Sequence, residues 1–174
     1  YIVMDNQIYG LTKGQLSPTS PRGLRTVTSE YGSLEEPVNP LLYVLAYGCN
    51  FVAQGTPADM AGLAALVEEA IRYPGFAFVN VESPCVTYGE EEQQVKAQRL
   101  KMKSLASVNH DPTNRIAAMD RAQHYGGADL WTGVFYKNPS PPPTYDDLVV
   151  GRQRQLEGAS PPSRDRVLDA FVQK

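Results

Sequence analysis

The apolar positions of this chain change period several times, and each change marks an element. Tyr1-Ile2-Val3-Met4 is a short apolar run ended by Asp5-Asn6. Such a run predicts a strand buried on both faces, as in the middle of a parallel sheet. From Gly10 to Gly32 the chain is dense in Gly, Pro, Ser and Thr, which predicts loop with at most one short helical turn. Asn39-Pro40 then opens a short helix through Tyr47, closed by Gly48, and Asn50 to Gln54 reads as a short strand.

The strongest periodicity follows. Met60, Leu63, Leu66, Val67, Ala70 and Ile71 form a stripe at helical spacing. Thr56 is the expected N-cap, with Pro57 in the first turn and Asp59 near the positive helix end; Pro74-Gly75 stops the helix. "FAFVNVESPC" is rich in β-formers and predicts a strand ended by Pro84. Strand, helix, strand in this order predicts an α/β fold, a parallel sheet flanked by helices.

Past residue 88 the pattern loosens, so residues 89–174 read as a mostly irregular and helical extension beyond a first region of 1–88. Glu90 to Ser107 predicts a charged helix, and "DPTNRIAAMDRAQHYGG" another, capped by Gly126. "DLWTGVFYKNPSPPPTYDDL" reads as a Pro-rich segment running extended over a surface, and Arg164 to Lys174 as a short amphipathic helix. Trp131 and the tyrosines near it read as packing or subunit-interface anchors.

Composition narrows the function classes. Apolar residues make up 42% and charged residues 20%, ordinary for a globular protein and against wholesale disorder. The net charge of −3, with no long basic block, argues against nucleic acid as a partner. No stretch reaches the roughly 20 apolar residues of a membrane span, so no membrane partner is expected. Two cysteines do not make a secreted disulfide framework, and no leader is visible, so the expected location is cytoplasmic.

The chemistry concentrates in "DNQIYGLTKGQLSPTS". Asp5 and Asn6 stand just past a strand's carboxyl end, where open parallel sheets bind ligands. Asn, Asp and Thr side chains with backbone carbonyls are hard oxygen donors that suit Mg²⁺ beside a phosphorylated ligand. Gly10 and Gly14 allow close approach of backbone N–H groups to phosphate, and Lys13 offers a point charge. The same residues also fit a plain Asx-turn in a surface loop, with Lys13 facing solvent.

The full string resembles the second half of the thiamine-diphosphate motif in β subunits of 2-oxoacid:ferredoxin oxidoreductases. The likeness continues through "FVAQG", "AIRYPGF" and "VESPCVTYG", covering most of residues 1 to 90. The resemblance implies that Asn6 gives its side-chain oxygen, and Ile8 its carbonyl, to Mg²⁺. It places Tyr9, Gly10, Leu11 and Thr12 beside thiamine diphosphate, with apolar Leu11 helping to hold the bent cofactor. Lys13 is the candidate contact for a substrate carboxylate; Leu11 and Lys13 are thus the candidate catalytic residues. The Gly-Asp-Gly half of the motif is absent, which leads to the expectation of a piece of a longer chain that cannot complete the metal site alone.

A buried cysteine is by default a small hydrophobe, and Cys49 is read so. Cys85, in "SPC", matches the position of a [4Fe–4S] ligand in the family, the other three cysteines lying upstream. His110 and His124 share no metal-ligand spacing and read as surface or helix-end residues. Ser17, Ser20 and Ser83 have no nucleophile elbow around them.

The activity implied is coenzyme A-dependent oxidative decarboxylation of a 2-oxoacid, with electrons passed through the cluster to ferredoxin. Pyruvate and 2-oxoglutarate are both candidate substrates, and the style of the motif leans towards 2-oxoglutarate. The implied partners are the α subunit, ferredoxin, coenzyme A and the 2-oxoacid. Two alternatives stay open: another thiamine-diphosphate-dependent decarboxylase or synthase without a cluster, and a non-catalytic interaction module.

Overall fold

The computed structural model describes residues 1–88 and 91–157. Residues Tyr1–Pro141 form one compact unit, built on a five-stranded sheet. Its strands are β1 (Ile2–Asp5), β4 (Phe51–Gly55), β5 (Ala77–Glu82), β6 (Met102–Ser104) and β7 (Leu130–Lys137), in the order β1-β5-β4-β7-β6. β1, β5 and β4 run parallel; β7 pairs antiparallel with β4 and parallel with β6. A small hairpin, β2 (Ile8–Tyr9) with β3 (Gln15–Leu16), projects from the end of β1.

Helix α1 (Pro40–Ala46) begins as the sequence predicts: Asn39 accepts the Leu42 N–H at 3.0 Å, and Pro40 fills the first turn. Thr56 caps a single 3₁₀ turn, Pro57–Asp59, and it is Asp59 that caps α2 (Met60–Arg72), accepting the Gly62 N–H at 2.9 Å. The expected cap therefore moves by three residues. α3 (Glu91–Lys101) is shorter than the expected helix, because the chain then enters β6 and a 3₁₀ turn at Leu105–Val108. α4 spans Arg115–Ala122, capped by Asn114.

Period-two alternation sorts the strand side chains onto two cores. Phe51, Ala53, Val79 and Val81 face α2, where Leu63, Leu66 and Ala70 pack on them. Val52 and Phe78 face the opposite side, where Leu41, Leu45, Ala118 and Ala122 of α1 and α4 close a second core. Met60 and Ile71, expected in the α2 stripe, remain exposed, because the contact arc of the helix is narrower than its apolar arc.

Two strands depart from expectation. β1 is an edge strand among the described residues, with Ile2 and Met4 exposed and Val3 packed on the α1–α4 core. Leu130–Lys137 does not run over a surface: it is β7, beside the buried strand β4. The register between them shifts at Val52/Ala53, leaving Phe135 as the extra residue of a β-bulge. The bulge lets the successive residues Phe135 and Tyr136 reach the same core, which plain alternation forbids.

The polar chain Asn80–Gln54–Trp131 crosses three strands inside this sheet. Asn80 Nδ2 donates to Gln54 Oε1 at 2.9 Å, and Gln54 Nε2 donates to the Trp131 carbonyl at 2.9 Å. A one-residue slip of β5 or β7 would strand these buried groups, so the pairs hold the register.

Residues from Pro142 onward belong to a second unit. Its described element is α5 (Tyr145–Glu157), whose start is closed reciprocally: Thr144 donates to Asp147 Oδ2 at 2.7 Å and accepts the Asp147 N–H at 3.2 Å. The helix expected at Arg164–Lys174 lies outside the described residues.

Candidate functional site

The site assembles at the carboxyl ends of β1 and β5, where Asp5 and Glu82 are register partners. In a parallel ladder, partners at one register share a face, so the two carboxyl groups lie on the same side of the sheet. Asp5 is buried and accepts three hydrogen bonds. Its Oδ1 accepts the Thr19 hydroxyl at 2.7 Å and the Gln7 N–H at 3.2 Å, and its Oδ2 accepts the Tyr125 hydroxyl. Asp5 therefore shapes the turn that follows.

That turn is tight. Gln7 sits at φ 58°, a left-handed value unusual outside glycine. Asn6 Oδ1 accepts the Ile8 N–H at 3.2 Å, and Ser20 donates to the Gln7 carbonyl at 2.6 Å. Asn6 is only half-buried, and its carbonyl-type oxygen keeps a second lone pair. The hairpin tip then closes through the Gly14 N–H to the Tyr9 carbonyl at 2.9 Å, with Lys13 at φ 75° and Gly14 at φ 86°.

The tip lies over the stretch that follows β5. A Cβ on Gly10 would stand 3.5 Å from Cys85 Sγ, and one on Gly14 would meet the Tyr88 ring at 3.0 Å. Glycine at 14 thus answers both a left-handed φ and a ring pressed against the backbone. Cys85 is buried, its Sγ accepts the Tyr88 N–H at 3.4 Å, and its own N–H donates to Gln94 Oε1 at 3.0 Å. Gln98, one turn further along α3, donates to the Glu82 carbonyl at 3.1 Å and accepts the Thr56 hydroxyl at 2.7 Å. The two glutamines of α3 thereby satisfy the polar groups at the strand ends.

Beneath the turn opens a cavity of about 570 Å³, lined by Asp5, Asn6, Glu82, Gln98, Lys101 and Tyr125 among others. Burial first and the Asp5 carboxylate second push the Glu82 carboxyl up to about 7, against a smaller downward pull from Lys101. Burial and the Asp5 carboxylate likewise push the Tyr125 phenol well above its ordinary value. The Glu82 shift has a measurable sign. Between pH 4.5 and about 7 the folded state holds a proton that the unfolded chain releases, so stability falls as pH rises through that window and is flat above it. Glu82→Gln is expected to remove this slope, gaining roughly 2–3 kcal/mol over the native protein between pH 4.5 and about pH 7.5. Urea unfolding of both proteins across that range measures it; a pH-independent difference would refute it.

The sequence-predicted residues are thus brought together unevenly. Asn6 and Ile8 lie at the turn, Gly10 approaches Cys85, and Tyr9, Leu11, Thr12 and Lys13 form an exposed rim, Leu11 fully so. Cys49 is buried in the α1–α4 core, where its Sγ–H donates to the Phe51 carbonyl at 3.1 Å and burial raises the thiol. His124 is exposed, whereas His110 is half-buried with Nε2 2.7 Å from the Phe135 carbonyl. Sequence reasoning missed Glu82, Gln98, Lys101 and Tyr125. Glu82 was findable, since it ends a parallel strand as Asp5 does; Tyr125 carries no local signal.

The donor set fits part of a metal–diphosphate site. Asn6 and the Ile8 carbonyl are neutral oxygen donors of the kind Mg²⁺ accepts, and Gly10 and Gly14 keep the rim backbone free of side chains. Cys85 fits a single thiolate ligand, because a backbone N–H already points at its sulfur. Among the described residues no group of three or more His, Cys, Asp or Glu side chains is placed to hold a metal ion. Nor is any described helix long and apolar enough to cross a membrane.

Comparison with known proteins gives the class. Residues 1–81 match the family "Thiamine pyrophosphate enzyme, C-terminal TPP binding domain". Residues 85–152 match the family of C-terminal regions of the "Pyruvate ferredoxin oxidoreductase beta subunit". The chain belongs to the β-subunit family of the 2-oxoacid:ferredoxin oxidoreductases. It is 30% identical over 171 residues to subunit beta of 2-oxoacid:ferredoxin oxidoreductase 1 of Aeropyrum pernix, covering 93% of this chain and 53% of that one. It is 33% identical over 140 residues to the 2-oxoglutarate synthase subunit KorB of Methanothermobacter marburgensis, covering 80% and 48%. Among solved structures it superposes with TM-score 0.81 and 36% identity on a 2-oxoglutarate:ferredoxin oxidoreductase from Magnetococcus marinus with 2-oxoglutarate, coenzyme A and succinyl-CoA bound, over 98% of this chain and 57% of that one. The chain thus spans about half the length of the curated relatives it matches.

Proposed function

We propose that this chain supplies the metal–diphosphate loop and one cluster ligand of a 2-oxoacid:ferredoxin oxidoreductase, acting with an α subunit on 2-oxoglutarate. The observation that carries the reading is the contact of the hairpin tip with Cys85: the cofactor loop and the one cysteine suited to a cluster meet at Gly10. The substrate assignment is supported by the relatives named 2-oxoglutarate synthase and by the ligands in the Magnetococcus marinus enzyme.

Thiamine diphosphate, when bound, supplies the carbon centre at which a 2-oxoacid loses CO₂. Asn6 and the carbonyl of Ile8 would ligate Mg²⁺, and Gly10 and Thr12 would approach the diphosphate. Leu11 would pack on the cofactor, its full exposure in this chain leaving it available for that contact. Lys13 would orient the substrate carboxylate from the rim, and Cys85 would give one thiolate to a [4Fe–4S] cluster that passes electrons to ferredoxin. Coenzyme A then receives the acyl group.

The complete complex, β subunit with its α subunit, should reduce a viologen dye with 2-oxoglutarate and coenzyme A only when thiamine diphosphate and Mg²⁺ are present. No dye reduction and no thiamine diphosphate binding would overturn the reading. Cys85→Ser is expected to abolish dye reduction and bleach the cluster absorbance while thiamine diphosphate binding persists. Undiminished dye reduction would instead favour a thiamine-dependent decarboxylase without a cluster.

A further inference from the structure

The turn that presents Asn6 and Ile8 is held mainly by its own neighbours. Thr19, Ser20 and the Gln7 N–H all lie within the first twenty residues. One side-chain tie comes from far along the chain. Tyr125, from the region matched to the oxidoreductase β-subunit family, donates its hydroxyl to Asp5 Oδ2, and Asp5 Oδ1 in turn accepts the Gln7 N–H at 3.2 Å. Asp5 and Gln7 flank Asn6 in sequence.

Tyr125 is itself well anchored. Its ring packs against the α1–α4 core, and its N–H donates to the Ala122 carbonyl at 3.1 Å. That carbonyl also accepts Asn39 Nδ2 at 2.7 Å, which fastens the end of α4 to the start of α1. The phenol thus ties the Asp5 carboxylate, and through it the Gln7 N–H, to that core. Such a link has a purpose at a turn whose Gln7 φ is left-handed: strain of this kind persists only where the surroundings over-determine it.

We propose that Tyr125 is a positioning residue for the metal–diphosphate loop, holding Asp5, and through it Gln7, so that Asn6 and the Ile8 carbonyl converge on one ion. This rests on the reading that those two groups are the Mg²⁺ ligands. The role requires the hydroxyl and not the ring.

The test uses the complete α–β complex, stripped of Mg²⁺ and thiamine diphosphate and then titrated with each. Tyr125→Phe keeps the ring and loses the hydroxyl. It should raise the half-saturating Mg²⁺ concentration about tenfold, the loss expected for a hydrogen bond to a charged group, with kcat at saturation within about twofold of native. Tyr73→Phe removes another phenol hydroxyl, bonded to the Asn138 carbonyl at 3.2 Å and remote from the loop, and should leave the Mg²⁺ requirement unchanged. Asp5→Asn, the second variant, should shift the Mg²⁺ requirement in the same direction, and the double variant no further than the larger single effect. An unchanged Mg²⁺ requirement in Tyr125→Phe, or equal shifts in Tyr73→Phe, would overturn the proposal; so would a fully additive double variant. Should Tyr125→Phe fail to assemble, an unshifted Asp5→Asn overturns it alone. A native complex that needs neither Mg²⁺ nor thiamine diphosphate would instead sink the underlying reading, which separates the two failures.

Discussion

Asn6→Ala, introduced into the complete oxidoreductase complex, is expected to weaken Mg²⁺-dependent thiamine diphosphate binding by at least about a hundredfold. Replacing residues that merely support a metal ligand costs about 10–100-fold in affinity or activity, so a proposed direct ligand should cost no less. Alanine also leaves the Ile8 N–H without its 3.2 Å acceptor, which loosens the very residue whose carbonyl would be the second ligand. Asn6→Asp, which keeps an oxygen at the same reach, should retain far more binding. Titrating the stripped complex with thiamine diphosphate at fixed Mg²⁺ reads the effect, and equal affinities for native and Asn6→Ala protein would remove Asn6 from the site.

Phe135→Ala is the second large effect, and it lies in the fold. Phe135 is 1% exposed, stands at the bulge of β7 and packs among Leu41, Leu45, Ala118 and Trp131 in the α1–α4 core. The His110 ring also meets its ring edge-on, centroids 6.5 Å apart. Removing a fully buried Phe ring costs about 3–5 kcal/mol, transfer and cavity terms together. Leu100→Ala, at a position 89% exposed, should stay within about 0.5 kcal/mol of native. Urea unfolding compares the native protein with both variants; a loss below about 1 kcal/mol at Phe135 would mean that β7 contributes little to this core.

What could be read from the sequence follows from how local each signal is. β4, α2 and β5 were legible because the stripe and the β-formers are contiguous, and because both faces of β4 and β5 are buried, which gives unbroken apolar runs. β7 was hidden for two reasons. The proline run after Lys137 gives the whole segment an extended, surface-like composition, and the bulge at Phe135 destroys the clean alternation that announces a strand. The edge position of β1 was equally hidden, since an apolar run looks the same whether or not a neighbour covers it.

The site divides along the same line. The Asn6–Gly14 loop is one continuous string, so its chemistry showed before its shape did. Cys85 could be named, but its approach to Gly10 depends on where β5 ends relative to the hairpin. Glu82 acquires its raised pKa from burial beside Asp5, a cross-strand relation that no stretch of sequence contains. Tyr125 reaches Asp5 only because α4 packs on α1, and Gln98 reaches Glu82 only because α3 lies over the strand ends.

The position of β7 beside β4 also has a consequence for how the chain is made. During synthesis β4, α2 and β5 emerge close together, and they can pair with little loop to close. The other edge of β4 must wait, because Phe51 pairs with Lys137 and Gln54 with Gly133. Until β7 leaves the ribosome, that edge and half of its buried polar chain have no partner. A nascent chain paused between those two points would present an open apolar strand to its surroundings, which makes this interval the one in which a chaperone has most to protect.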